Sequence, residues 1–183
     1  MIPTGEATIG PFFPPRYVDA GANDLTKFDG RAAVGEAIEI LGCVRQEDGA
    51  ALENLVVEIW QADAKGIYRH PADPRQRAAD ANFLGWGRAA TDQAGNYRFR
   101  TMLPGAPAGR ARHVNFMVMF SGLMRILKTT MYFPGADAND ADPVLAAVPA
   151  ARRALLVARQ ESPGKYRFDL KLRGEHETPF FDD

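Results

Sequence analysis

The sequence predicts an all-β fold: an antiparallel β-sandwich with an extended N-terminal arm and one helical insertion near 142–160. Three observations carry this. Many short segments alternate apolar and polar side chains with the period of a strand. Thirteen prolines and seventeen glycines are spread between those segments and do not gather into one linker. Only one stretch, rich in Ala, Leu and Arg, breaks the alternation. At 183 residues, 46% hydrophobic, the chain has enough apolar side chains for one core and is short for two. Residues 1–183 are therefore expected to form a single domain, with 1–35 as its arm.

The elements follow in order. Residues 1–35 are rich in Gly, Pro and Asp and lack periodicity. Within them "GPFFPP" (10–15) is an extended segment whose two phenylalanines need a surface, on their own domain or on a partner chain. "AIEILGCVR" (37–45) alternates. "LVVEIWQADA" (55–64) sets Leu55, Val57 and Ile59 on one face and Val56 and Trp60 on the other, predicting a strand buried on both sides and ending near Asp63. "TDQAGNY" (91–97) is a turn feeding the strand "NYRFRTML" (96–103). "HVNFMVMF" (113–120) turns Val114, Phe116, Val118 and Phe120 inward, and "LKTTMYF" (127–133) follows. In "DPVLAAVPAARRALLVARQ" (142–160) Asp142 is an N-cap and Pro143 an N1 proline. Pro149 splits this segment into a short helical turn and a longer helix from about Ala150. "KYRFDLKLRG" (165–174) alternates most cleanly and reads as one strand. Trp60, Trp86 and Tyr97 are expected in the core.

Composition narrows the function. A net charge of −1 with interspersed signs gives no phosphate-tracking surface, so nucleic acid is not expected as a partner. The lone Cys43 excludes an intrachain disulfide framework and a thiolate cluster, which fits a reducing compartment. The first twenty residues lack a leader's basic and apolar regions, and no apolar run is long enough to span a bilayer, so a cytoplasmic location is expected. No H-E-x-x-H, P-loop, G-x-G-x-x-G after a strand or G-x-S-x-G occurs. His70 and His176 lie in loop-like sequence. His113 and Asn115 share one face of their strand, and a second histidine at 115 would complete a metal pincer. As they stand, a hydrogen-bonded polar face is the commoner reading. Taken alone, Tyr68, beyond Gly66, is a turn tyrosine.

Read together, the blocks "TIGPFF" (8–13), "LVVEIWQADAKGIYRH" (55–70), "NFLGWGRAATDQAGNYRFRTMLPGA" (82–106), "MYFPGADANDADPVLAAVP" (131–149) and "YRFDLKLRGEHETPFFD" (166–182) resemble the intradiol ring-cleavage dioxygenases over nearly the whole chain. The last block resembles the α-type chains of hetero-oligomeric members. The resemblance implies a β-sandwich and, in the catalytic chains, Fe(III) held by two tyrosines and two histidines, where a catechol is cleaved by O₂ between its hydroxyl-bearing carbons. The four ligand positions fall here on Tyr68, Pro107, His113 and Asn115. Proline offers no donor, and an amide is a poor substitute for imidazole, so this chain is expected to carry no catalytic iron of its own. The Fe(III) would lie in a partner β subunit, in an (αβ)n hetero-oligomer acting on a small catechol-type substrate. The same resemblance places Thr8, Gly10 and Pro11 of the arm at the partner's substrate cleft. It also aligns Ser121, with Arg125 beyond it, where some relatives have an arginine for a substrate carboxylate. Two alternatives stay open: a self-sufficient dioxygenase with an altered metal site on Tyr68 and His113, and a transthyretin-like binding or structural module.

Overall fold

Alternation in residues 37–45 becomes strand β3 (Ala37–Arg45), whose inward residues Ile38, Ile40 and Val44 are buried. The computed structural model describes residues 21–135 and 138–181. Thr8, Gly10 and Pro11 therefore lie outside the described residues. Ahead of β3 stand β1 (Lys27–Phe28) and β2 (Arg31–Ala32), joined through Asp29 and Gly30 at φ 50° and 74°. Positive φ at both turn residues matches the strand twist of a two-residue hairpin.

Two larger sheets form the sandwich. In the first, β6 (Asn96–Met102) runs antiparallel to β3, with Ala37 opposite Met102 and Cys43 opposite Asn96. The other edge of β3 takes β10 (Lys165–Arg167) and β11 (Leu170–Lys171), and β9 (Arg159–Ser162) lies antiparallel to β10. The second sheet has the order β5 (Trp86–Ala90), β4 (Val56–Trp60), β7 (His113–Met119), β8 (Leu127–Tyr132), antiparallel throughout. Leu55, Val57, Ile59, Val114, Phe116 and Val118 face Ile40, Phe99, Phe168 and Leu170 across the core. Phe116 joins the layers, its ring 6.0 Å from that of Tyr97 and 5.2 Å from that of Phe168. Each such aromatic contributes about 1.5–3 kcal/mol by leaving water.

The expected sandwich is present, with four differences of detail. First, β10 and β11 pair parallel to β3, so the first sheet is mixed. Second, residues 165–174 form two short strands. The Tyr97 hydroxyl captures the Phe168 carbonyl, and the Asp169 carboxylate accepts the Cys43 N–H at 2.9 Å, so side chains replace ladder bonds at the break. Gly42 permits this crossing, since a Cβ there would lie 2.0 Å from Phe168 O. Third, the helix after Pro149 is short. α1 (Ala138–Ala141) and α2 (Pro143–Ala147) precede α3 (Ala150–Arg153), and the chain then tightens to place buried Leu156 and pair Ala158 N–H with Tyr132 O at 2.9 Å. Asp142 caps α2 as expected, accepting from Val144 and Leu145 N–H at 3.0 Å each. Fourth, Tyr97 is core, but Trp60 and Trp86 are half-buried, paired across β4 and β5 on the side away from the core. No helix among the described residues is long and apolar enough to cross a membrane.

Candidate functional site

Strand β4 ends at Trp60, three residues before the expected Asp63, because the next side chains leave the ladder to build a turn. Gln61 is buried and bridges to β6, accepting from Thr101 Oγ1 (2.9 Å) and donating to Met102 O (2.8 Å). Asp63 is also buried. Its carboxylate accepts from the N–H groups of Lys65 (2.9 Å), Ile67 (3.0 Å) and Asp80 (2.9 Å). Gly66, at φ 75°, lies flush against the loop after β6, where a Cβ would sit 2.1 Å from Ala106 O. Gly105 faces it with the same constraint, 2.4 Å from Gly66 N. Two glycines thus let the Tyr68 turn and the Pro107 loop meet backbone to backbone. Beyond the turn, Tyr68 N–H donates to Asp73 Oδ2 (3.0 Å), and Arg75 ties Asp73 to Gly66 O (2.8 Å). Its bonds from Arg75 hold the Asp73 carboxyl down at about 2.

Strand β7 presents His113 and Asn115 to that turn. The Tyr68 hydroxyl lies 2.9 Å from His113 Nε2. His113 Nδ1 lies 2.8 Å from Ala111 O, so it carries the ring proton and Nε2 accepts from the tyrosine. Asn115 Nδ2 donates to the Tyr68 oxygen (3.2 Å) and to Trp60 O (3.2 Å), while its Oδ1 accepts from Thr130 on β8 (3.3 Å). Burial pushes the Tyr68 phenol up and the His113 imidazole down, so both are neutral near pH 7. The Arg110 cation acts on both, favouring phenolate at Tyr68 and disfavouring imidazolium at His113.

Arg110 was not visible as a site residue from the sequence. Its Nε donates to Asp142 Oδ2 (2.8 Å) and its Nη2 to the Tyr132 hydroxyl (3.0 Å), which in turn donates to Asp142 Oδ1 (2.9 Å). Ala111 N–H completes the cluster at 2.8 Å from Asp142. Burial opposes ionisation of Asp142, but Arg110 and the surrounding N–H donors outweigh it and hold its pKa at about 2. Burial, and after it the same carboxylate, pushes the Tyr132 phenol well up. The sequence marked Asp142 as a helix cap, and nothing in the spacing shows that its second oxygen binds a cation from another element.

Of the expected positions, Tyr68, His113 and Asn115 converge by direct hydrogen bonds, and Pro107 is buried in the loop packed against Gly66. Ser121 and Arg125 do not join them. Both are exposed beyond the far end of β7, roughly 25 Å of strand from His113. Among the described residues no three His, Cys, Asp or Glu side chains cluster to hold a metal. The donors at the site are one neutral phenol and one imidazole, bonded to each other, with the Asn115 amide bonded to the phenol, and the fourth expected position, Pro107, has no donor side chain. That set does not fit Fe(III), which favours hard anionic ligands.

A family model described as Dioxygenase (Dioxygenase_C) matches residues 9–174. Protocatechuate 3,4-dioxygenase alpha chain of Burkholderia cepacia is 37% identical to the chain, covering 98% of it and 96% of the relative. The protocatechuate 3,4-dioxygenase beta chain of Burkholderia cepacia is 38% identical, covering 86% of the chain and 74% of the relative. The dioxygenase domain of a dioxygenase and carbohydrate-binding protein fusion from Streptomyces sp. SirexAA-E superposes with a TM-score of 0.63 at 25% identity, covering 97% of this chain and 100% of that one.

Proposed function

The chain belongs to the intradiol ring-cleavage dioxygenases, and from that premise we propose that it is the iron-free α subunit of a protocatechuate 3,4-dioxygenase-type enzyme. The observation that carries this reading is the Tyr68–His113 hydrogen bond of 2.9 Å, with Asn115 bonded to the same tyrosine and a donorless proline at position 107. The two remaining ligand-type side chains are spent on each other. Identity alone does not choose between the α and β types, at 37% and 38%. The near full-length match to the α chain favours the α reading, as does the incomplete donor set. In this reading residues 1–183 are one domain in the cytoplasm, and the ferric ion belongs to a β partner. This chain scaffolds that partner in a hetero-oligomer. It lines the cleft, where a catechol is opened between its hydroxyl-bearing carbons, through Thr8, Gly10 and Pro11. Ser121 and Arg125 would contribute only from the opposite end of β7. Expressing the chain alone and together with a β-type partner tests this. Catechol cleavage should require the partner, and full turnover by the lone chain would overturn the reading.

A further inference from the structure

Asn115 does more than mark a missing ligand. Its amide touches three separate elements: the Tyr68 hydroxyl of the turn, the Trp60 carbonyl at the end of β4, and Thr130 Oγ1 on β8. Tyr68 closes the ring onto His113 of β7. Every polar atom of the amide is used, two N–H donors and one acceptor, and no charge is involved. A metal ion in a four-donor site ties its ligand-bearing segments together through one centre. Here one side chain reaches the same turn and the same strand.

We infer that the Asn115 amide has replaced a metal ion as the cross-link that holds the Tyr68 turn against β4, β7 and β8. The inference rests on the iron-free reading above and adds to it: residue 115 is an amide because the closed network needs two donors and an acceptor at one point. A neutral histidine there supplies a single N–H for two acceptors. The tether and the ligand are alternatives at this position.

Hydrogen exchange on the full chain, with any partner that co-purifies, tests this. Asn115→Ala and Asn115→His should each speed exchange of the Lys65 to Tyr68 amides about tenfold, the factor for one net hydrogen bond of about 1.4 kcal/mol. The β3 amides should keep their protection. Thr130→Val, which leaves the amide's donors in place, gives the same region a smaller acceleration and serves if the other variants fail to fold. EDTA should leave the wild-type pattern unchanged. Unaltered exchange of the turn in the variants would overturn the inference and leave the iron-free reading standing. EDTA-induced loosening together with bound iron in the wild-type chain would overturn both.

Discussion

Two polar clusters meet at the start of β7, and opposite means hold them. Tyr68, His113, Asn115 and Thr130 are neutral and joined by hydrogen bonds of 2.9 to 3.3 Å. Arg110, Asp142 and Tyr132 are built on an ion pair, with all four bonds at 2.8 to 3.0 Å. Where the chain supplies both cation and anion, it buries the charge. Around Tyr68 it keeps every group neutral. The contrast matters because a neutral hydrogen bond nets about 1 kcal/mol, whereas removing one partner of a buried ion pair strands the other charge.

The ionic cluster should break hardest. Asp142→Ala leaves Arg110 without its carboxylate and α2 without its cap. It should cost about 3–5 kcal/mol in urea unfolding, and a loss under 1 kcal/mol would show that the cluster is not closed. Acid should find the same weak point. The folded pKa of Asp142 is depressed from 3.8 to about 2, so its contribution is complete above about pH 4 and vanishes as pH falls through 2. That window is worth on the order of 2 kcal/mol and should flatten in Asp142→Asn. The neutral cluster should yield less. Tyr68→Phe removes one hydroxyl from between His113 and Asn115 and should cost about 1–2 kcal/mol, measured the same way. The smallest effect separates the clusters by pH. His113 has a lowered pKa, so its contribution is present above its unfolded value of 6.5 and declines as pH falls below that. Mild acid should therefore soften the neutral cluster first, and His113→Asn should erase that slope without touching the one near pH 3.

Much of this was legible from the sequence where the cause is local. Strand β3 has the expected bounds because alternation and flanking polar residues define it. Asp142 and Pro143 announce the start of α2 by side-chain chemistry alone. The convergence of Tyr68 with His113 and Asn115 came through the family resemblance, which encodes a three-dimensional site in separated motifs. What stayed hidden depends on distant partners. The split between β10 and β11 is imposed by Tyr97, far away in sequence. The place of Arg110 is set by Asp142, and periodicity carries no record of either. Ser121 was aligned by motif order, but a strand carries it away from His113 at about 3.4 Å per residue. Alternation already sets Trp60 on the face opposite Leu55, Val57 and Ile59, and its expected burial there needed a cover that the structure leaves partial for both tryptophans.

The iron content of the chain separated from any partner is the most direct test of the contrast between the clusters. Metal analysis and visible absorption of the purified chain, after incubation with ferric ion and removal of excess, should give well below one iron per chain and no tyrosinate-to-iron colour. One iron per chain with that colour, lost in Tyr68→Phe, would contradict the account.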